Sequence, residues 1–524
     1  MGIYLNPGNE NFKETLSNPI YVDKTGMISI INHFIDIGNK YICISRPRRF
    51  GKTIAGNMLT AYYSKGCDSR ELFKPYKISS DIGFKNYLNR FNVIKIDLNS
   101  EYQNINDKDK LLINLTQKIK EEFSKEFITV QLYEQDSLGE SILKIYAQTK
   151  QKFVIIIDEY DVLTREQISD KLFSEYLSLL NGLFKSDTLR PAIALAYLTG
   201  ILPIVRDKIQ SKLNNFEEYT ILDASELAEY IGFTSIEVKT LCEKYNLDYS
   251  EFKNWYDGYS QHGFEIYNPE SVVKSIQKKD FGSYWGKTST YEAIAERIRE
   301  NFEGTKEDVI RMLSGENIDV NVTRYMNTMN SFTTKNDIFT YLIHLGYLAY
   351  DRIEKTCRIP NKEVRQEWFN AIEAEPEYKI TNRIIQCSKE MFNEMLKGNA
   401  EVVAKSLDES HINVTSNRSY NNEDALQSAI YLSFIYALNK YICIKEMTTG
   451  KGFADVVYIP IKKADPAIIV ELKHNSCAES ALNQIKEKQY FDSLSDDSGE
   501  IIFVGINYAE STKTHECKIE RFNK

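Results

Sequence analysis

The sequence predicts an α/β protein in three parts: a parallel-sheet domain, a mostly helical middle region and a smaller C-terminal α/β domain. Three observations lead to this prediction. Strand-like apolar runs alternate with amphipathic segments over residues 1–225, the pattern is largely helical over 226–395, and strands return over 396–524. A chain of 524 residues is long enough to build a separate core in each part.

Composition and charge narrow the class of protein. A hydrophobic content of 42% and a charged content of 27% are typical of a soluble globular protein. The net charge of −9 gives no overall basic surface, so a nucleic acid would need a local basic groove. The eight cysteines include no C-x-x-C pair, which predicts reduced thiols, no structural zinc and a cytoplasmic location. We expect no signal peptide, because the N-terminus lacks a charged segment followed by an apolar one, and no membrane span, because no apolar stretch reaches ~18 residues.

The strands of the first domain are predicted from short apolar runs with intervening stretches long enough for helices. These runs are Lys40–Ser45, Asn92–Asp97, Phe153–Asp158 and Ala192–Leu198. Such βα alternation predicts a mostly parallel sheet.

A phosphate-binding loop is predicted directly after the first run. The segment Arg46-Pro-Arg-Arg-Phe-Gly-Lys-Thr53 matches the pattern G-x-x-x-x-G-K-[ST] at its last three residues, while Arg46 stands where the first glycine belongs. Backbone N–H groups at a helix N-terminus attract phosphate, and Pro47 removes one of them. A lysine here reaches the β- and γ-phosphates, and a threonine ligates Mg²⁺. We therefore predict ATP and Mg²⁺ as cofactors, with Arg49, Phe50, Gly51, Lys52 and Thr53 in the binding site and Thr53 as a metal ligand.

Acidic and polar residues at two later strand ends complete this predicted site. Asp158 ends an apolar run and would hold Mg²⁺ through water, and Glu159 would orient or deprotonate the attacking water. Thr199 is predicted either to sense the γ-phosphate or to be a satisfied turn hydroxyl. Arg206 is predicted either to sense the nucleotide or to be a surface residue.

A second metal site is predicted near the C-terminus. Asp455 lies in one strand-like run, Ala454–Ile459, and Glu471 and Lys473 end another, Ala467–Lys473. Residues two apart on a strand face the same side, so Glu471 and Lys473 point at one place. Two carboxylates supply the oxygen ligands that Mg²⁺ prefers, and a neighbouring lysine can orient water.

Both motifs resemble known families. The pattern Asp455…Glu471-Leu-Lys473 resembles the PD-(D/E)xK nuclease superfamily in the form attached to an AAA-like ATPase, and the loop from Arg46 to Thr53 resembles the one in that ATPase family. The resemblance implies a P-loop NTPase sheet and a restriction-endonuclease-like C-terminal domain. It extends over nearly the whole chain and includes segments whose chemical roles are not evident from residue types: Tyr21–Thr25, Trp255–Tyr259, Tyr267–Pro269, Leu342–Leu348 and Ile359–Val364.

The superfamily resemblance implies further site residues. Glu423 precedes a helix-like run and fits the acid that the superfamily places before its metal-binding strands, although it equally fits a helix N-terminal acid. Glu446 is a weaker candidate for the same role. Gln484, on the amphipathic segment after the Glu-x-Lys run, fits the helix that backs the active site, and Tyr490 fits it less well because its spacing is longer.

Two hypotheses for function follow. The first is an ATP-coupled, Mg²⁺-dependent nuclease acting on nucleic acid, preferably DNA, in which Glu159, Asp455, Glu471, Lys473, Glu423 and Gln484 are catalytic and Asp158, Asp455 and Glu471 bind metal. The second is a nucleotide-switched protein whose nuclease-like domain binds nucleic acid or a protein without cutting it. The intact Asp455, Glu471 and Lys473 favour the enzyme. The altered loop favours the switch.

Overall fold

The computed structural model describes residues 2–166, 168–204, 214–285, 304–313, 315–324, 332, 334–374, 379–414, 436–437, 441–449, 452–460, 464–489 and 500–523. By compactness the chain forms two units, each made of two segments. The first unit contains Met1–Thr288 and Asp319–Val364, and the second contains Ser289–Ile318 and Arg365–Lys524. The division into domains 1–225, 226–395 and 396–524 stays a prediction.

A five-stranded parallel sheet organises the first unit. Its strands are β1 (Tyr41–Ser45), β2 (Asn92–Asp97), β3 (Phe153–Asp158), β4 (Ile193–Gly200) and β5 (Glu217–Tyr219). Their spatial order is β2-β3-β4-β1-β5, and every neighbouring pair is parallel. The predicted parallel sheet is therefore confirmed. Because β4 separates β1 from β3, the carboxyl ends of these three strands meet at one edge of the sheet.

Helices surround this sheet and continue through the rest of the first unit. Leu115, Ile119 and Leu180 belong to the apolar core that includes Ile155 and Leu198 of the sheet. The α-helices are Glu10–Leu16, Gly26–Asn32, Lys52–Tyr63, Arg70–Phe73, Phe84–Tyr87, Leu98–Asn104, Leu111–Glu126, Leu138–Thr149, Val162–Arg165, Asp170–Phe184, Ser235–Tyr245, Tyr249–Tyr256, Pro269–Lys278 and Lys335–Leu345. Short 3₁₀ helices span Lys77–Ser80, Lys108–Lys110, Arg190–Ala192, Ser225–Leu227 and Val322–Arg324.

The middle of the chain, predicted as mostly helical, also contains short strands. They are β6 (Phe233–Thr234), β7 (Tyr259–Gln261), β8 (Phe264–Tyr267), β9 (Ile318–Asp319), β10 (Ala349–Asp351) and β11 (Thr356–Arg358). β8 pairs antiparallel with both β6 and β7, and β10 pairs antiparallel with β11. These strands have two to four residues each, which is too short for a clear alternation of apolar residues to show in the sequence.

A five-stranded mixed sheet organises the second unit. Its strands are β12 (Tyr441–Thr449), β13 (Gly452–Pro460), β14 (Ala467–His474), β15 (Glu500–Ala509) and β16 (Thr514–Asn523), and they neighbour one another in sequence order. β14 and β15 run parallel, and the other pairs run antiparallel. The remaining α-helices in the part of the chain that the structure describes are Thr305–Leu313, Lys362–Ala374, Lys379–Lys397, Ala400–Val414 and Ala478–Glu487.

The two faces of β14 pack against different apolar cores. Ile468 and Val470 join the core that contains Met391 and Phe392, and Ile469 joins the core that contains Leu482 of the helix Ala478–Glu487. Because side chains alternate along a strand, Glu471 and Lys473 continue the face of Ile469 and point towards that helix. Within the part of the chain that the structure describes, no helix is long and apolar enough to cross a membrane.

Candidate functional sites

The predicted phosphate-binding loop joins buried strand β1 to the helix Lys52–Tyr63. Gly51 caps this helix with a φ of 93°, and Arg49 also has a positive φ, of 67°. Only glycine adopts such a backbone readily, so Arg49 is held there by its surroundings. The first N–H groups of the helix point into the loop, where a phosphate would bind. Thr53 is exposed in the first turn.

Lys52 is folded back into the loop. Its Nζ donates hydrogen bonds to the carbonyl oxygens of Arg46, at 2.9 Å, and Pro47, at 2.8 Å. Burial lowers the pKa of Lys52 to about 8, although the nearby carboxylate of Asp158 works in the opposite direction. The ammonium group therefore lies between the loop carbonyls and the acidic end of β3, where a γ-phosphate bound to the loop would meet it.

Arg46 has a structural role in the place of the missing glycine. Its side chain is fully buried, and Nη1 donates to the carbonyl oxygens of Ser45, at 2.8 Å, and Tyr219, at 2.9 Å. Its backbone N–H donates to the carbonyl of Gly200 at 3.1 Å. These bonds connect β1 with β5 and β4. Burial lowers the pKa of Arg46 to about 10.

Two predicted ligands of the nucleotide, Arg49 and Phe50, direct their side chains elsewhere. Arg49 Nη1 donates to the carbonyl of Tyr284. Phe50 is buried, and its ring meets the ring of Tyr259 edge to face at a centroid distance of 5.5 Å. Their neighbour Arg48 is half-buried and has no hydrogen bond or ion pair to the described residues.

Asp158 and Thr199 meet where β3 and β4 end. The Thr199 hydroxyl, fully buried, donates to Asp158 Oδ1. The same oxygen accepts the backbone N–H of Glu159 at 3.1 Å. The Thr199 hydroxyl thus orients the carboxylate that is predicted to bind metal. This contact does not decide between the two roles predicted for Thr199.

Glu159 is held by an arginine that the sequence reasoning missed. Arg165 Nη2 lies 3.0 Å from Glu159 Oε2, and Arg165 Nε lies 3.0 Å from Asp161 Oδ2. Asp161 is buried and also accepts the backbone N–H groups of Ile201, at 3.0 Å, and Leu202, at 2.9 Å. The i,i+4 spacing of Asp161 and Arg165 was a usable signal, but the sequence did not show that their segment is helical.

The structure brings together four residues of the predicted nuclease site. Lys473 Nζ lies 3.2 Å from Glu471 Oε1 and donates to Gln484 Oε1 at 2.6 Å, and Gln484 Nε2 donates to Glu471 Oε1. On β13, Asp455 Oδ2 accepts the backbone N–H of Leu472 at 2.7 Å. Gln484 thus orients both Glu471 and Lys473.

The environment of Glu471 suits a cation. Glu471 is 1% exposed, and burial, reinforced by the charge of Asp455, raises its pKa to about 7. Its Oε2 is buried and has no hydrogen-bond partner among the described residues. A buried acceptor without a donor is costly, and a divalent ion shared with Asp455 would satisfy it. The residues present therefore fit a hard metal ion.

For four other residues named in the sequence analysis, the structure does not describe the side chain. Glu423, Tyr490 and Arg206 lie outside the described residues. Glu446 lies on β12, where the structure describes its backbone alone. Among the described residues, no group of three or more His, Cys, Asp or Glu side chains could hold a metal ion. The predicted metal ligands of the C-terminal site whose side chains the structure describes are thus Asp455 and Glu471.

The fold of the first domain is that of a P-loop ATPase, and the mixed sheet of the C-terminal domain is consistent with a nuclease-type domain. Comparison with known families agrees: residues 7–210 match a family described as "Predicted AAA-ATPase", and residues 421–518 match the PD-(D/E)XK nuclease superfamily. The chain therefore carries an AAA-ATPase-like domain and a C-terminal domain of the PD-(D/E)XK nuclease superfamily.

Individual proteins similar to this chain share only a low sequence identity with it. An uncharacterized protein from the vnfD 5′ region of Azotobacter chroococcum is 25% identical over 291 residues. The match covers 53% of this chain and 52% of that protein, so the chain spans about half the length of this relative. Similar solved structures include a Walker-type ATPase of Pyrococcus abyssi, at 16% identity and a TM-score of 0.32, covering 66% of this chain and 94% of that one. They also include the ORC2 protein of Aeropyrum pernix, at 11% identity and a TM-score of 0.30, covering 68% and 97%.

Proposed function

We propose that this protein is an ATP-hydrolysing, Mg²⁺-dependent nuclease. Its AAA-ATPase-like domain binds and hydrolyses ATP with Mg²⁺, and its C-terminal domain cleaves phosphodiester bonds in nucleic acid, preferably DNA. We place it in the cytoplasm of a prokaryotic cell. The observation that carries the proposal is the convergence of Glu471, Lys473 and Gln484 beside Asp455. One buried oxygen of Glu471 has no hydrogen-bond partner among the described residues.

The residues of the C-terminal site have separable roles in this proposal. Asp455 and Glu471 would hold the divalent ion, which activates water and stabilises charge that develops on the phosphate. Lys473 Nζ, held 2.6 Å from Gln484 Oε1, places a positive charge where a scissile phosphate would approach the two carboxylates. Gln484 fixes the rotamers of Glu471 and Lys473. Glu423 is proposed as an additional acid on the basis of its sequence position alone.

The residues of the nucleotide site also have separable roles in this proposal. The helix N-terminus at Gly51, Lys52 and Thr53 binds the phosphates, and Thr53 and Asp158 hold Mg²⁺. Glu159 orients the attacking water when Arg165 releases it. Thr199 keeps the Asp158 carboxylate in place.

The proposal is tested by incubating the purified protein with plasmid, linear DNA and RNA, with Mg²⁺ or Mn²⁺ and with or without ATP. We expect metal-dependent cleavage that is lost in the variant Asp455→Ala. Cleavage of none of these substrates under any of these conditions would contradict the nuclease assignment. Equal cleavage by Asp455→Ala would show that the site lies elsewhere.

A second candidate function is supported by the ion pair between Arg165 and Glu159. A protein whose catalytic acid is engaged by an arginine at 3.0 Å can bind ATP and turn it over slowly, which suits a nucleotide-switched binding module. In this alternative the C-terminal domain binds nucleic acid or a protein without cleaving it. Binding of DNA that depends on ATP, with no cleavage in the assay above, would favour it.

A further inference from the structure

Several sequence segments singled out above have no assigned role, and the structure places residues of three of them in one region of the first unit. Tyr259 ends the segment Trp255–Tyr259, Gly346 lies in Leu342–Leu348 and Glu363 lies in Ile359–Val364. The contacts of Tyr259, Gly346 and Glu363 lead to the phosphate-binding loop.

The first contact runs through Tyr259. Its ring packs edge to face against Phe50 of the loop, and its hydroxyl donates to the carbonyl of Gly346 at 2.5 Å. Gly346 has a φ of 88°, and a Cβ on it would lie 2.8 Å from the Cβ and Cγ of Pro47. The backbone at Gly346 therefore packs directly against the loop. Tyr259 links that backbone to Phe50, through its hydroxyl on one side and its ring on the other.

The second contact runs through Glu363. This carboxylate is 2% exposed, and its Oε1 accepts hydrogen bonds from the Ser271 hydroxyl at 2.9 Å and from the backbone N–H groups of Tyr284, at 2.8 Å, and Trp285, at 3.0 Å. The carbonyl of Tyr284 in turn accepts the Nη1 of Arg49. Glu363 thus holds in place the peptide group between Tyr284 and Trp285, whose carbonyl oxygen accepts the hydrogen bond from Arg49.

The loop needs such support because of its sequence. A glycine-rich loop adopts its phosphate-binding shape without steric cost, whereas this one has arginine at the first glycine position and a non-glycine residue, Arg49, with a φ of 67°. A strained backbone of this kind persists only where neighbouring groups determine it. The groups that do so here are Tyr284 on the Arg49 side and Tyr259 with Gly346 on the Phe50 and Pro47 side.

We infer that Arg49, Tyr259 and Glu363 are positioning residues for the nucleotide: they hold the phosphate-binding loop in its binding shape from outside, in place of the missing glycine. This inference rests on the proposed ATP binding by that loop. It assigns Arg49 a different role from a phosphate ligand, because Arg49 acts through Tyr284. It also predicts that Glu363 affects ATP only through Arg49.

The test is a double-mutant cycle on the full chain, with the dissociation constant of Mg²⁺-ATP measured by calorimetry. Glu363→Gln keeps the shape of the side chain but removes the charge that strengthens three hydrogen bonds. We expect Glu363→Gln and Arg49→Ala each to weaken ATP binding by about fivefold, because bonds to charged groups outweigh neutral ones. We expect the double variant to bind no more weakly than the weaker single variant.

Further variants separate positioning from mere folding. Arg49→Lys retains a donor for the Tyr284 carbonyl and should recover part of the affinity lost in Arg49→Ala. Tyr259→Phe keeps the ring against Phe50 but removes the bond to Gly346, and it should raise the KM for ATP more than it lowers kcat. Glu354→Gln, at an exposed carboxylate of the same unit, is the matched control and should bind like the parent.

The outcomes distinguish this inference from the proposed function. If the parent fails to bind ATP, or Lys52→Ala binds as well as the parent, the proposed function and the inference both fail. If Lys52→Ala loses affinity but the Glu363, Tyr259 and Arg49 variants bind normally, only the inference is overturned. Additive losses in the cycle overturn it too, since they would mean that Arg49 contacts the nucleotide itself. If Glu363→Gln does not fold, Arg49→Ala, Arg49→Lys and Tyr259→Phe still decide the matter.

Discussion

The guanidinium of Arg165 engages the carboxylate of Glu159 at 3.0 Å while its Nε holds Asp161 at the same distance. Asp161 is anchored to the backbone beyond β4 through Ile201 and Leu202, so Arg165 joins Glu159 to a fixed acid. Glu159 has a φ of 52°, and its side chain is 29% exposed. The ion pair with Arg165 therefore occupies one oxygen, Oε2, of a carboxylate that solvent can reach.

Replacing Arg165 should release Glu159. We expect Arg165→Gln to raise basal ATP turnover by about three- to tenfold, because an ion pair in a partly buried site is replaced by a weaker neutral contact. The measurement is steady-state phosphate release at saturating ATP. In the Glu159→Gln background the same replacement should change nothing, and a drop in turnover in the parent background would mean that Arg165 assists the reaction directly.

Replacing Glu159 should separate binding from hydrolysis. A residue that orients water acts mainly in the transition state, so Glu159→Gln should retain ATP affinity and lower kcat by about 10²-fold or more. Isolation of the protein with ATP still bound, followed by chromatography of the released nucleotide, checks this. Turnover at the parental rate would remove Glu159 from the mechanism.

Replacing Lys52 should weaken ATP binding. The ammonium lies between the loop carbonyls and Asp158, and losing its charge-assisted bonds to phosphate should cost about 1.5–3 kcal/mol of binding free energy. Calorimetry on Lys52→Ala tests this, with the exposed Lys74→Ala as control. Unchanged affinity in Lys52→Ala would rule out the assignment of the phosphate-binding loop.

Replacing any one member of the C-terminal site should remove most cleavage. Asp455, Glu471 and Lys473 act as a unit, so Asp455→Ala, Glu471→Gln and Lys473→Ala should each lower the cleavage rate by about 10²–10⁴-fold, and the triple variant little further. ATP turnover should remain largely unchanged, because the sites lie in separate compact units. Gel assays of cleavage alongside phosphate release measure both, and large additive losses would contradict a single shared site.

The second unit should lose stability in mild acid through His515. This ring is buried on β16, its Nδ1 lies 2.8 Å from Asp408 Oδ1, and burial lowers its pKa below the ordinary 6.5 despite that carboxylate. The unfolded chain therefore binds the proton more readily, so the contribution of His515 to stability is present above pH 6.5 and is lost as the pH falls towards the folded pKa. The slope from one such group is at most about 1.4 kcal/mol per pH unit.

Hydrogen exchange of β15 and β16 between pH 5 and 7.5 measures this effect. The variant His515→Gln should show a weaker acid dependence than the parent, after correction for the intrinsic exchange rate. A parallel pH dependence in both proteins would show that another group is responsible.

Some of this structure could be predicted from the sequence, and the reason differs between residues. The strands that carry Asp158 and Glu471 are uninterrupted apolar runs, and the two-residue period of a strand correctly placed Glu471 and Lys473 on one face. The resemblance to the nuclease superfamily, rather than the residue pattern, placed Gln484 on the helix that backs this site, and in the structure it contacts both residues.

The contacts around the phosphate-binding loop could not be predicted in this way. A buried Arg46 that bonds to the carbonyl of Tyr219, and a buried Glu363 that bonds to the N–H of Tyr284, join positions 173 and 79 residues apart. Charged residues are mostly exposed, and the sequence around these two carries no periodicity that marks them as buried. The partners are backbone groups, which every residue has, so residue types do not reveal the pairing.

The arrangement of the two compact units has a consequence for synthesis on the ribosome. Each unit is assembled from separated stretches of chain, since residues 289–318 belong to the second and 319–364 return to the first. A nascent chain that ends at residue 225 has the phosphate-binding loop but lacks Tyr259, Tyr284, Gly346 and Glu363, which contact or support it. The first unit can thus reach its native packing only after residue 364 has left the exit tunnel. At that point the stretch 289–318 is already outside, although the rest of its own unit, residues 365–524, has yet to be synthesised.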